Sequence, residues 1–163
     1  MIKLLPNLLT PDDAEAVIEE AIKSHPPDIP WKKALSFPPL ERIFTALRNE
    51  LPDAGFTAPG YVRVECRSKG HPPHYDGCQE VDGELADNHM AWCHYGCSVL
   101  LSDPESFAGG TFHYPEHDIK LREEHYLSAS VHSAGKDNTP ELHAIDPHKN
   151  GERWVLLIFL ARR

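Results

Sequence analysis

No stretch of this chain approaches the roughly 18 consecutive apolar residues that a bilayer span needs, so no transmembrane helix is expected. Cationic residues are scarce. The chain sets 16 Lys and Arg against 25 Asp and Glu, for a formal net charge of −9. Such a surface repels phosphate backbones and anionic headgroups, which disfavours a nucleic-acid binder and a membrane-surface protein. The opening MIKLLPNLLTPDD makes a poor secretory leader, because Pro6 and then Asp12 and Asp13 interrupt its apolar stretch. The expectation is a cytoplasmic protein. Cysteine is sparse as well, at Cys66, Cys78, Cys93 and Cys97. Without a leader, free thiols are expected rather than a disulfide framework. A zinc site would need two close pairs. Cys93 and Cys97 could form one, but Cys66 and Cys78 stand twelve apart. The cysteines therefore read as small buried hydrophobes on a strand. Internal repeats and low-complexity tracts are absent.

What remains is a chain of 163 residues with 40% hydrophobic and 25% charged residues, ordinary for a globular protein. One domain spanning 1–163 is expected, large enough to bury a core without staples. The unusual counts are 11 His and 15 Pro. Histidine at that density invites a metal reading.

Residues 10–24 predict a helix. Thr10 suits the cap, Pro11 the first helical position, and Asp12 and Asp13 the positive end of the dipole. Ala14, Val17, Ile18 and Ala21 form one apolar stripe. His25–Pro30, with three prolines, reads as a linker. Leu40, Ile43, Phe44 and Leu47 predict a second helix over 39–50. After this the period changes. Short apolar runs at 61–66, 92–101, 110–114, 126–131, 141–146 and 153–161 alternate with Gly, Pro, Asn and Asp. Helices followed by many short strands predict an α+β chain with a sandwich or barrel of jelly-roll type. Asn150-Gly151 predicts a hairpin between the last two strands. Residues 153–161, almost wholly apolar, predict a central strand buried on both faces.

The segment GHPPHYDGC at 70–78 carries the chemistry. His74 and Asp76 form an H-x-D pair, and in extended backbone positions i and i+2 face the same side. An imidazole nitrogen and a carboxylate oxygen could then reach one ion, with a third ligand from a later histidine. His143 stands out, 69 residues beyond His74 and ten before Arg153, which opens the last strand. His132 and His148 are the competitors. His148 falls in the expected turn, and His132 leaves no arginine at the matching distance. Two histidines, one carboxylate and open positions make the facial triad of non-haem Fe(II) oxygenases. A nearby arginine would offer a planar fork to a dicarboxylate. His71, His94, His113, His117 and His125 lack such a frame and read as surface or supporting residues. Gly109-Gly110 reads as a tight turn. Residues 77–90, rich in acids, read as a solvated loop or a lid.

Four segments in order extend this reading: LLPNLLTPDDAEAVIEEA at 4–21, HYD at 74–76, LLSDPESFAGGTFHY at 100–114 and HAIDPHKNGERWVLLIFL at 143–160. In these the chain resembles the Fe(II)- and 2-oxoglutarate-dependent oxygenases, specifically the prolyl-4-hydroxylase-like branch. The resemblance implies a double-stranded β-helix (jelly-roll) core fronted by helices. It implies Fe(II) held by His74, Asp76 and His143, and the distal carboxylate of 2-oxoglutarate held by Arg153. It also implies a dioxygenase that consumes O2 and hydroxylates a C–H bond of a peptide or small-molecule substrate. The family's tyrosine ahead of H-x-D has Glu65 or Arg67 at the nearest comparable positions. A jelly-roll binding module without turnover, a cupin-like protein and a zinc domain are the rival readings.

Overall fold

The computed structural model describes residues 1–163. β1 (Ile2–Leu5) leads to α1 (Pro11–Ala21), β2 (Asp28–Ile29), α2 (Trp31–Ala34) and α3 (Glu41–Glu50). Thr10 caps α1 through a reciprocal pair of hydrogen bonds. Its hydroxyl accepts from the Asp13 amide at 3.0 Å, and the Asp13 carboxylate accepts from the Thr10 amide at 2.9 Å. The strands that follow are β3 (Ala54–Gly55), β4 (Tyr61–Cys66), β5 (His71–His74), β6 (Cys78–Val81), β7 (Glu84–Asp87) and β8 (Cys93–Leu100). Next come β9 (Ala108–Gly109), β10 (Phe112–Tyr114), β11 (Ile119–Leu121), β12 (Ala129–Ser133), β13 (His143–Ile145), β14 (His148–Lys149) and β15 (Trp154–Arg162). The architecture is α+β and dominated by sheet. No helix is long and apolar enough to cross a membrane.

Two sheets organise the chain. The larger has seven strands in the order β1-β12-β8-β15-β4-β2, with β3 paired to β15. The smaller has the order β11-β10-β13-β5. From β4 onward the chain passes back and forth between them: β4 large, β5 small, β8 large, β10 and β11 small, β12 large, β13 small, β15 large. β15 is central, flanked by β8 and β4. Alternation along the strands gives the large sheet two different faces. Val62, Val64, Val99, Val131, Leu156, Ile158 and Leu160 pack with Ala14, Val17, Ile43, Phe44 and Leu47 of the helices in one cluster. Val155, Leu157 and Phe159 line a cavity on the other side.

Four expectations need correction. Residues 77–90 are a β-hairpin rather than a loop: β6 and β7 pair across Asp82-Gly83, both at positive φ. This is the dipeptide and backbone that two-residue hairpin turns favour. Residues 25–30 are not only linker, since Asp28 and Ile29 pair with Arg63 and Val62. Asn150-Gly151 does not join a hairpin. β14 pairs with β9, whereas β15 pairs with β8, β4 and β3. The turn forms locally, with Asn150 at φ 62°, but the strands on either side belong to different sheets. The strand expected at 126–131 begins only at Ala129, because Leu127 sits at φ 60° and its carbonyl accepts from the Leu8 and Leu9 amides.

Candidate metal and co-substrate site

A cavity of about 590 Å³ opens between the two sheets. β5 and β13 form its small-sheet wall, and their register sets His143 directly opposite His74. Asp76 follows two residues beyond His74. The three side chains converge. His74 Nε2 lies 3.7 Å from one Asp76 oxygen, and His143 Nε2 lies 3.5 Å from the other. One donor atom from each residue lies within 4.8 Å of the other two. No other group of three or more His, Cys, Asp or Glu side chains comes together this way. The cysteines in particular do not gather, and Cys78, Cys93 and Cys97 are buried singly.

The donor chemistry suits a divalent transition metal. Nδ1 of His74 is 2.8 Å from the Pro72 carbonyl and Nδ1 of His143 is 2.9 Å from the Glu141 carbonyl. A carbonyl only accepts, so each ring carries its proton on Nδ1 and turns an Nε2 lone pair inward. Burial raises the Asp76 pKa, but the hydrogen bond from His132 outweighs it and holds the carboxyl well below its usual range. Asp76 is therefore ionised. Burial and the neighbouring His143 lower the His74 pKa, which keeps that ring neutral.

Sequence reasoning missed what stands behind these three. His132 Nε2 lies 2.7 Å from Asp76 Oδ2. Its Nδ1 is 3.1 Å from the Tyr114 hydroxyl, which is 2.7 Å from Ser130 Oγ. A single proton order satisfies all of them: Ser130 donates to Tyr114, Tyr114 to His132 Nδ1, and His132 Nε2–H to Asp76. His132, the competitor for the third position, thus orients the carboxylate. Gly96, opposite His132 on the neighbouring strand, leaves room for this. A Cβ there would lie 2.4 Å from His132 Nε2 and 2.6 Å from Asp76 Oδ2. No local signal in the sequence marks that contact.

Arg153 lies just before β15, 4% exposed, and lines the same cavity. Its Nε donates to the Gly110 carbonyl at 3.1 Å. Gly110 belongs to the expected tight turn: Gly109 and Gly110 both have positive φ. Arg153 takes part in no salt bridge, although the protein forms seven between Lys, Arg or the N-terminus and a carboxylate. Burial, and the Arg122 charge behind it, lower its pKa to about 10. Glu65 and Arg67 both line the cavity, as does Tyr61 on the same strand as Glu65. Of the unframed histidines, His94 pairs with Asp53, His113 with Asp146 and His117 with Glu141. His71 stacks on His74 with ring centroids 3.6 Å apart. His125 is fully buried on the cavity wall, and His148, expected in a turn, is a buried strand residue.

Comparison with solved structures aligns nearly the whole chain. A viral collagen prolyl hydroxylase from Paramecium bursaria Chlorella virus-1, solved as a 2OG complex, matches with a TM-score of 0.67 at 14% identity, over 99% of this chain and 96% of that one. A Pseudomonas putida prolyl-4-hydroxylase matches with a TM-score of 0.66 at 14% identity, over 99% and 86%. This chain shares the prolyl 4-hydroxylase fold. A non-heme monooxygenase, ThoJ, in its nickel complex is a more distant match, with a TM-score of 0.55 at 13% identity, over 99% and 73%. No family model matches the sequence, and no curated protein matches it. The prolyl 4-hydroxylase fold therefore arrives here with little shared sequence, and the site has to be read from its own residues. An N,N,O donor set with open positions lies in one cavity with a buried, unpaired guanidinium. That arrangement can hold a metal and an anionic ligand side by side.

Proposed function

We propose that the protein is an Fe(II)- and 2-oxoglutarate-dependent dioxygenase, built as one oxygenase domain over residues 1–163 on a double-stranded β-helix. The balanced reaction consumes 2-oxoglutarate, O2 and a substrate R–H and yields succinate, CO2 and R–OH. The substrate is a peptide or a small molecule. Iron, when bound, supplies the redox chemistry that couples decarboxylation of the 2-oxo acid to C–H hydroxylation. His74, Asp76 and His143 are the residues to hold it. The two imidazoles present fixed Nε2 lone pairs, and His132 keeps the carboxylate turned toward them.

The observation that carries this reading is Arg153. A guanidinium 96% shielded from water is costly to bury without a counter-charge. None of the protein's ion pairs includes it, and it lines the cavity that holds the three donors. A five-carbon 2-oxo diacid has a chelating keto-acid end and a carboxylate at the far end for this fork. The apolar wall of Val155, Leu157 and Phe159 keeps the cavity poor in competing water.

The test is 2-oxoglutarate affinity by calorimetry on the Mn(II)-loaded protein, with succinate formation read on the Fe(II) form. Arg153→Ala should weaken binding on the order of ten- to a hundredfold, since hydrogen bonds to charged groups contribute about 1.5–3 kcal/mol. Arg153→Lys keeps the charge but loses the fork and should fall between. Iron affinity should hold in both. An unchanged dissociation constant in Arg153→Ala would remove the co-substrate role. Metal binding without any 2-oxoglutarate dependence would favour a cupin-like protein instead.

A further inference from the structure

Arg122, the residue directly after β11, braces the segment 104–110 between β8 and β10. Its Nε donates to the Gly109 carbonyl at 2.9 Å. Its Nη2 donates to the Pro104 carbonyl at 2.8 Å and to the Phe107 carbonyl at 2.7 Å. Nη1 donates to the exposed Glu123 carboxylate at 2.6 Å. Four of the five guanidinium N–H groups are thus engaged, three of them on backbone carbonyls of this one segment. Arg122 Cζ also lies 4.9 Å from the centre of the Phe107 ring, a cation over an aromatic face.

The braced segment ends on Arg153. Gly110 follows the Gly109 that Arg122 holds, and its carbonyl accepts from Arg153 Nε at 3.1 Å. A Cβ on Gly110 would lie 2.9 Å from Arg153 Cδ and 3.0 Å from Phe107 Cε2. The Phe107 ring and the Arg153 stem therefore close on the same glycine. Phe107 is itself buried with Leu100 and Val155. β14 holds the turn as well: Gly109 pairs with His148, and the Gly110 amide donates to the Pro147 carbonyl at 3.1 Å. Arg122 holds the stretch before it, through Pro104 and Phe107. Nε is the one Arg153 nitrogen that bonds to the protein. Both Nη atoms lack a partner and are not sealed off, since the sealed unpartnered side-chain atoms are Nδ1 of His125 and Nδ1 of His148. With Nε fixed on a carbonyl, the plane of the guanidinium and the direction of its Nη pair are fixed too.

We infer that Arg122 is a positioning residue for co-substrate binding: it sets the 104–110 segment so that the Gly110 carbonyl aims the Arg153 fork into the cavity. The inference rests on reading Arg153 as the partner of 2-oxoglutarate. Arg122 does not line the cavity and acts only through Arg153. A planar group with donors on three nitrogens can reach carbonyls at 104, 107 and 109 together. A lysine ammonium carries its donors on one atom and cannot span them in the same way. Loss of Arg122 should therefore cost only the part of the affinity that comes through the Arg153 fork, and should leave keto-acid binding at the metal as it was.

The test sets two ligands against two arginines. 2-Oxoglutarate and 2-oxopentanoate share their chain length and keto-acid end, and only the first has a distal carboxylate. Their dissociation constants are measured by calorimetry on Mn(II)-loaded wild type, Arg122→Ala, Arg122→Lys, Arg153→Ala and the double variant Arg122→Ala/Arg153→Ala. 2-Oxoglutarate should bind Arg122→Ala roughly three- to tenfold more weakly, within the range of coupling between side chains that share a partner. Arg122→Lys should recover only part of this. 2-Oxopentanoate should bind Arg122→Ala within about twofold of wild type. The double variant should bind 2-oxoglutarate within about twofold of Arg153→Ala, because a contribution routed through Arg153 disappears with it. A generally loosened fold would instead weaken both ligands and add to the Arg153→Ala loss. Three results would each overturn the inference and leave the 2-oxoglutarate reading intact: an unchanged 2-oxoglutarate constant in Arg122→Ala, an equal loss for both ligands, or additive losses in the double variant. Full recovery in Arg122→Lys would assign the effect to charge alone and overturn the brace too. If Arg122→Ala does not fold, Arg122→Lys alone and combined with Arg153→Ala carries the same comparison. If 2-oxopentanoate binds too weakly to read, the double variant decides. Failure of wild type to bind 2-oxoglutarate, or an unchanged constant in Arg153→Ala, would remove that reading and this inference together.

Discussion

On β12, Ala129 and Val131 pack toward the helices, while Ser130 and His132 bond to Tyr114 of the small sheet. On β15, Leu156, Ile158 and Leu160 join the helix cluster, and Val155, Leu157 and Phe159 line the cavity. The same strands thus carry two surfaces of different chemistry. The helix side is held mainly by apolar burial, with polar atoms only at its margin, where Trp31 Nε1 donates to the Gly60 carbonyl and the Tyr95 hydroxyl to Asp53. The cavity side keeps a carboxylate, a chain of hydroxyls, several imidazoles and a guanidinium under cover, each positioned by a named partner or left open toward the cavity. Stability and chemistry are therefore divided by side-chain parity along each strand. A one-residue register shift would exchange them.

The largest expected effect comes from breaking one side and then the other. His74→Ala or His143→Ala removes a donor from the triad. Fe(II)-dependent turnover of 2-oxoglutarate to succinate should fall to background while the melting temperature changes little. Ile158→Ala, one strand position from the cavity-lining Leu157 and Phe159 and so on the opposite face, should cost about 2–5 kcal/mol of stability through the lost burial and the space left behind. Its metal affinity at low temperature should match wild type. Denaturant unfolding and metal titration on both variants check the division. A stable, inactive Ile158→Ala or a fully active His143→Ala would break it.

His132 sharpens the comparison, because it sits on the chemical side without touching the ion in this reading. His132→Phe removes both of its hydrogen bonds and leaves Asp76 without its short contact on Oδ2. Partners of this kind typically cost ten- to a hundredfold in metal affinity when removed. The expected outcome is weaker Mn(II) binding with ligand identity unchanged, read by calorimetry and by the paramagnetic spectrum. His132→Gln, which keeps a donor, should lie between. If His132→Phe binds metal as wild type does, the carboxylate is oriented by something else.

The division into faces also explains what was legible in the sequence. β4 appears at 61–66 as expected and β15 within a residue of expectation, because apolar runs bounded by turn residues are a local signal. The start of α1 is equally local: Thr10, Pro11 and Asp13 lie within four positions. The H-x-D pair was readable because its members lie two residues apart, although Asp76 sits in the bend just after β5 rather than on the strand. Contacts across the fold were not readable. His132 reaches Asp76 from 56 residues away, and Gly96 matters only because those two side chains happen to cross above it. Residues 77–90 failed as a strand signal because Cys78-Gln79-Glu80-Val81 and Glu84-Leu85-Ala86-Asp87 show no clean alternation. Asp82-Gly83 was the clue, and it carried more information than the composition around it. Asn150-Gly151 misled for the opposite reason. It makes its turn, but the strands it separates pair elsewhere.

The smallest effect should come from the far edge of the helix layer. The Thr10 side chain closes a reciprocal pair of hydrogen bonds with Asp13 at the start of α1. Loss of such a cap costs about 0.5–2 kcal/mol, typically near 1. Thr10→Ala should therefore lower stability by about 1 kcal/mol, less than Ile158→Ala, because it frees one backbone amide without opening space in the core. Thr10→Ser keeps the oxygen and should lose little. α1 reaches the large sheet through Val17, Ala14 and Ala21, all on the helix side. The cavity side meets none of them, so the affinities for Mn(II) and 2-oxoglutarate should not move in either variant. A fall in co-substrate affinity with Thr10→Ala would mean that strain crosses the sheet, and the division by parity would then hold for burial but not for the chemistry.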